Sequence, residues 1–161
     1  MRSDIREGKS GTPLTLTLTV VNTNSGCAPV AGANVEIWQC DATGNYSQYG
    51  TQTSQTYLRG IQTTDGNGQV TFTTIYPGWY PGRTTHIHCK VHLDRRTVLT
   101  TQLYFDDNLT EEINRTIQPY TEHAVRDTRN DTDSIYADVG LVTTQRSADG
   151  YLAAINLGLD L

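Results

Sequence analysis

Residues 13–22 read PLTLTLTVVN. Apolar and hydroxyl-bearing side chains alternate there without a break, and Thr and Val dominate. In an extended chain successive side chains point to opposite faces, so this pattern describes a strand with one face buried and one wet. β-branched residues favour that state. A period of two across ten residues does not suit an amphipathic helix.

The same signal recurs outward from this stretch. SGCAPVAGA (25–33) carries turn chemistry and leads into a short strand at NVEIWQC (34–40). In TTDGNGQVTFTTIYPG (63–78), Asp65-Gly66-Asn67-Gly68 can supply the left-handed conformations of a tight turn before an alternating strand. THIHCKVHL (85–93) alternates again and is expected to pair with TVLTTQLYF (97–105) across Asp94-Arg95-Arg96. A short helix is expected over LTEEINRTI (109–117), and a last strand within GYLAAINLGLDL (150–161). About seven short strands with Gly- and Asp-rich turns predict an all-β fold, a β-sandwich of mostly antiparallel strands. The segments 41–62 and 119–149 read as long loops, and loops of that length usually carry function or cover a site.

At 161 residues the chain fits one domain, 1–161, large enough for its own core. A hydrophobic fraction of 36% argues against disorder, and no apolar stretch is long enough to cross a membrane. The net charge of −5 comes with scattered basic residues and no phosphate-binding stripe, so neither nucleic acid nor membrane is an expected partner. Cys27 and Cys40 bracket one turn and one strand, a separation a disulfide could close if the segment folds back. Cys89 follows His88, so it points to the opposite strand face and is expected in the core.

His86 and His88 stand at alternate positions of one strand, in a chain with four histidines. Residues i and i+2 share a face roughly 6.6–7 Å apart, so both imidazoles can converge on one ion. His92 has the same parity but lies roughly 13 Å farther along, out of reach. Alone, such a pair is weak evidence, because polar residues on a strand face are ordinary. The customary third ligand is a carboxylate or another His, yet Asp65 sits in a turn and Asp94 closes a hairpin. Tyr80 precedes the pair and Tyr46 lies farther upstream. Phenolate is a hard donor suited to a trivalent ion, but most of nine tyrosines will be structural.

The order of DATGNYS (41–47), PGWY (77–80), RTTHIH (83–88) and TTQLYF (100–105) resembles the intradiol ring-cleavage dioxygenases, non-haem iron(III) enzymes that open catechols between the two hydroxyls. The likeness is closest to their small secreted branch. It runs with specific motifs from about Leu14 to Phe105 and continues more weakly through PYTEHAVRDTRNDTDSIYAD (119–138). Carried over by position, it implies Tyr46, Tyr80, His86 and His88 as ligands of Fe(III), with Arg83 over the substrate ring and Gln102 near the same pocket. Tyr80, Arg83 and Gln102 are then the expected catalytic side chains, and a catechol and O2 the expected small-molecule partners.

That ligand set is chemically apt. A nearby trivalent cation lowers the pKa of tyrosine steeply and so favours the phenolate. Two phenolates and a hydroxide neutralise a ferric ion, and a catechol dianion with one remaining phenolate does so equally. Exchange therefore creates no net charge in a desolvated pocket. Only Pro81 and Gly82 separate Tyr80 from Arg83, whereas many cytoplasmic relatives carry a longer loop, so the pocket is expected to be open. The helical N-terminal segment through which the cytoplasmic catechol dioxygenases dimerise has no counterpart in the sequence, so their mode of association is not carried over; additional domains in the natural chain are a separate expectation. Export is expected from the Cys27–Cys40 pair, from two lysines against ten arginines and from the secreted-branch likeness, although no signal peptide stands in the sequence. Two rival readings make different demands. A binding module for carbohydrate or phenolics needs the fold without the metal. A zinc or iron(II) enzyme needs an acid beside the histidines.

Overall fold

A computed structural model describes residues 1–161. Its nine strands are β1 (Pro13–Asn22), β2 (Ala28–Pro29), β3 (Asn34–Trp38), β4 (Arg59–Thr63), β5 (Gln69–Ile75), β6 (His86–Leu93), β7 (Arg96–Tyr104), β8 (Thr143–Arg146) and β9 (Tyr151–Leu159). One helix, α1, covers Asp107–Thr116. The strands form two sheets. In the first, β1 is central, flanked on one side by β5 and β2 and on the other by β9 and then β8. The second has the order β4-β3-β6-β7. Every pairing is antiparallel except β1 with β9.

The alternation in 13–22 does what it implied. Leu14, Leu16, Leu18 and Val20 are all at most 1% exposed, while the intervening threonines lie on the wetter face. Opposite them, Val35 and Ile37 of β3, Ile87, Cys89 and Val91 of β6 and Leu103 of β7 are fully buried. The two inner faces thus share one apolar core. Each such Leu or Ile contributes roughly 1.5–3 kcal/mol through burial. Cys89 occupies the core as its parity required, and burial pushes its thiol up to about 12.

Register decides what the outer face of the second sheet carries. His88 pairs with Trp38 of β3 and Gln102 of β7, His86 with Tyr104, and Lys90 with Glu36 and Thr100. Since 87, 89 and 91 fill the core, 86, 88 and 90 must project outward. The outward face is not bare: His86 is 2% exposed, because segments from 41–58 and 119–142 fold over it. No helix is long and apolar enough to cross a membrane.

Several expectations change. Strands number nine rather than about seven, because β2, β4 and β8 lie in stretches read as turn or loop. The hairpin between β6 and β7 turns on two residues, Asp94 and Arg95, both with positive φ (49° and 64°), as twisted strands prefer. α1 begins two residues early because Asp106 caps it, its side chain accepting from Leu109 N at 2.9 Å. Cys27 and Cys40 are not bonded: Cys27 is exposed and Cys40 buried, both free. The chain does not fold back between them. β3 instead carries Cys40 away from the turn that holds Cys27, by roughly 3.3 Å per residue.

Candidate metal centre

The segment 41–47 is a compact side-chain-nucleated turn. Asp41 Oδ1 accepts from Thr43 N (3.1 Å), Thr43 Oγ1 (3.0 Å) and Asn45 N (2.9 Å), while Asp41 Oδ2 pairs with Lys9 Nζ at 2.8 Å. Those donors and Lys9 outweigh burial and hold the Asp41 carboxyl below its usual range. Gly44 takes φ +88° at the apex, and an added Cβ would meet Trp79 O at 2.4 Å. The carbonyl of Asp41 also accepts from Gly78 N at 3.2 Å. The turn that presents Tyr46 is therefore laid directly on the strap that presents Tyr80.

That strap is anchored at both ends. Tyr76 is fully buried and its hydroxyl lies 2.7 Å from Thr110 Oγ1 of α1. Trp79 Nε1 donates to the His123 carbonyl at 2.7 Å. Tyr80-Pro81-Gly82-Arg83 then forms a tight turn, with Arg83 N donating to Tyr80 O at 3.2 Å and Gly82 at φ +84°. Pro at the second position and Gly at the third are what such a turn requires.

These elements bring all six expected residues together. His86 Nε2 lies 3.2 Å from His88 Nε2, 3.3 Å from Tyr80 Oη and 3.5 Å from Tyr46 Oη. Donors about 2.0–2.1 Å from a common centre stand about 3.3–3.4 Å apart at tetrahedral angles, so this spacing suits a ligand shell. His86 Nδ1 sits 2.7 Å from the Thr84 carbonyl, which can only accept. The proton is therefore on Nδ1, and the Nε2 lone pair faces Tyr46, Tyr80 and His88. His88 is held by a flat stack on Trp38, with ring centroids 4.7 Å apart and planes 3° apart. No third His, Cys, Asp or Glu side chain joins the pair, so the carboxylate-bearing alternative finds no acid in place.

The electrostatics keep every donor neutral in the absence of a cation. Burial lowers His86 to about 4, and burial with the neighbouring His86 lowers His88 to about 3. Burial also raises Tyr46 and Tyr80, with Arg83 working against it at Tyr80. Neutral imidazoles are ready ligands. Half-buried phenols whose ionisation burial opposes become phenolates only when strong positive charge arrives, so the set fits a trivalent ion. Next to these donors, Trp38, Tyr46, Tyr49, Tyr80 and His88 line a cavity of about 560 Å³, ample for one aromatic ring.

Arg83 reaches the same place. Its Nη1 lies 3.5 Å from Tyr80 Oη, and its Nη2 donates to Gln102 Oε1. Burial disfavours its charge, but Asp133, 1% exposed at its side chain, more than restores it through an ion pair at 2.9 Å. Asp133 in turn accepts from Thr84 N and Ile135 N, each at 2.8 Å, and these bonds with Arg83 overcome burial to keep its carboxyl below the usual range. Sequence reasoning missed three participants: Asp133, Tyr104, whose hydroxyl lies 3.1 Å from Gln102 Oε1, and Trp38, which stacks on His88. The one available signal was register, since Trp38 and Gln102 flank His88 across strands.

The model of a family described as "Dioxygenase" matches residues 2–135. An intradiol ring-cleavage dioxygenase from Tetranychus urticae has a solved structure 32% identical in sequence, with a TM-score of 0.88, covering 99% of this chain and 86% of that one. The dioxygenase domain of a carbohydrate-binding fusion protein from Streptomyces sp. SirexAA-E is also 32% identical, with a TM-score of 0.77 and coverage of 99% and 88%. Among curated relatives, catechol 1,2-dioxygenase of Candida albicans is 32% identical over 95 residues, which is 47% of this chain and 31% of that protein. The protocatechuate 3,4-dioxygenase beta chain of Burkholderia cepacia is 34% identical over 112 residues, 60% of this chain and 48% of that one. Fold, site and these likenesses define one class: the chain belongs to the intradiol ring-cleavage dioxygenase family. It spans less than half the length of these curated relatives.

Proposed function

We propose that the protein opens catechol or simple substituted catechols between the two hydroxyl-bearing carbons, taking up both atoms of O2 and giving cis,cis-muconate-type products. Tyr46, Tyr80, His86 and His88 would hold a single Fe(III). When bound, ferric iron draws electron density from a chelated catecholate and makes its ring reactive toward O2. The observation that carries the reading is the convergence of the His88 imidazole and the Tyr46 and Tyr80 hydroxyls to within 3.2–3.5 Å of His86 Nε2.

The chain's own groups have definite tasks. Tyr80, once ionised beside a ferric ion, would be the group that takes one of the two protons a catechol gives up on binding. Arg83, kept charged and aimed by Asp133, offers Nη1 to negative charge that develops on the ring and its oxygens. Gln102 is fixed by Arg83 and Tyr104, which hold its amide beside the guanidinium. Trp38 and Tyr49 supply the aromatic wall of the cavity.

A visible spectrum of the purified protein tests this, repeated with catechol under anaerobic conditions. A phenolate-to-Fe(III) band that moves to longer wavelength with catechol, followed by muconate absorbance on admitting air, is expected. Tyr80→Phe should alter the band and lose most turnover. A protein that stays colourless after iron reconstitution would leave a metal-free phenolic-binding module as the better reading.

A further inference from the structure

Trp38 and His88 are walls of two cavities. The first is the aromatic one beside Tyr46 and Tyr80. The second, of about 390 Å³, extends along β6 from His88 to Lys90. The two cavities adjoin at the Trp38 and His88 rings, and Gln102 and Tyr104 line the second one. Residues 86, 88 and 90 share one strand face, which places the Lys90 backbone roughly 6.6–7 Å beyond that of His88.

The chemistry of this lobe is one-sided. Its charged side chain is a cation, and Thr100, which pairs with Lys90 on the same face, and the Gln102 amide can donate hydrogen bonds. No carboxylate lines it. Trp38, Ile135 and Ala137 give it apolar flanks. Lys90 is half-buried, and its ammonium sits 5.6 Å from the Trp38 ring centroid, over the lobe rather than out in solvent. Glu36 is the cross-strand neighbour of Lys90, but its carboxylate turns to His92 Nε2 at 3.2 Å, and Lys90 forms no ion pair.

We propose that this lobe receives an acidic arm of the substrate, and that Lys90 is a specificity-determining residue. The favoured substrates are then catechols whose ring carries a short chain ending in a carboxylate. The ring lies at the four donors, the apolar part of the arm passes Trp38 and Ile135, and the carboxylate meets Lys90 and the Thr100 hydroxyl. This inference rests on the catechol-cleaving reading of the same site.

The experiment uses the iron-loaded protein with 3,4-dihydroxyphenylpropanoic acid and 4-propylcatechol, which match in length and differ in charge. The quantity read is the ratio of kcat/KM for the acid over the alkyl catechol, together with both Kd values from anaerobic titration of the visible band. Wild-type protein should favour the acid. Lys90→Met, which keeps the apolar stem, should lower the ratio by about tenfold, the scale of losing one hydrogen bond to a charged group. Lys90→Arg should retain the preference and Lys90→Glu reverse it. A wild-type ratio near one, or a ratio that Lys90→Met leaves unmoved, overturns the subsite while leaving catechol cleavage standing. A protein that neither binds nor cleaves any of these catechols, including catechol itself, overturns both.

Discussion

Arg83 Nε donates to Asp133 Oδ2 at 2.9 Å across fifty residues of chain, and both side chains are withdrawn from solvent. One carboxylate oxygen holds the arginine and Thr84 N together, and the other holds Ile135 N. The loop that closes over the sheet and the cation that faces Tyr80 are thus a single unit. Asp133→Ala should cost about 3 kcal/mol, because a buried charge loses its partner. Asp133→Asn should cost less but still misplace Arg83. Urea unfolding of the metal-free single and double variants with Arg83→Met checks this. The pair should couple by about 0.5 kcal/mol or more, and strict additivity would show that the two act independently.

Trp38 is the second support the sequence did not advertise. Its indole lies flat on His88 and fixes a ring that has no other side-chain partner outside the donor cluster. Trp38→Leu should lower stability by no more than about 2 kcal/mol, since stacking adds about 0.5–1.5 kcal/mol to burial. Its effect on the centre should be larger in proportion. Iron release to a chelator is expected to quicken in Trp38→Leu and stay at the wild-type rate in Val98→Ala, on the exposed part of β7.

Local pattern made part of this legible. β1, β5 and β6 were readable because one face of each is buried, which forces a period of two. His86 and His88 were readable because the same period puts them together. β4 was not, as all its residues are at least partly exposed and its pairing is dictated by β3. β8 gains its order from β9, and β9 lies parallel to β1, a partner more than a hundred residues away. The Tyr46 and Tyr80 assignments came from family likeness, since a buried tyrosine has no local signature separating ligand from core. Asp133 was hidden for a related reason. It lies in a loop with little regular structure, and only tertiary closure brings it to Arg83. Sequence left the pairing of Cys27 and Cys40 open, because their separation says nothing about strand direction, and both are free.

The two histidines set a pH dependence for the metal-free protein. Both have folded values well below the ordinary 6.5, at about 4 for His86 and about 3 for His88, chiefly through burial. Between those values and 6.5 the unfolded chain binds more protons than the folded one, so stability rises with pH across that window and falls as pH drops. Asp41 and Asp133 act in the same direction but lower, since their depressed values lie below 3.8. The urea midpoint of metal-free protein should therefore drop between pH 6.5 and 4.5, before the carboxylates titrate. His88→Gln should flatten that slope, and an unchanged slope would mean that other groups set it.

Gly44 joins the two tyrosine-bearing segments more directly than any hydrogen bond. It sits at φ +88° with the Trp79 carbonyl 2.4 Å from where a Cβ would be, and Tyr80 Cβ is 3.7 Å away. Gly50 offers a matched control in the next loop, with φ +56° and nothing within 4 Å. Gly50→Ala should cost only the left-handed strain, about 1–2 kcal/mol. Gly44→Ala adds a backbone collision that cannot relax by rotating a side chain, so the turn must lift from the strap. About 3 kcal/mol or more is expected, in the range of the most damaging single substitutions. The readout that separates mere destabilisation from displacement is the iron centre. At a temperature where both variants are fully folded, Gly44→Ala should bind iron more weakly with an altered phenolate band, because Tyr46 and Tyr80 no longer approach His86 together. Gly50→Ala should show the wild-type band. If Gly44→Ala also keeps that band, the close contact between turn and strap is not what sets the spacing of the two phenols.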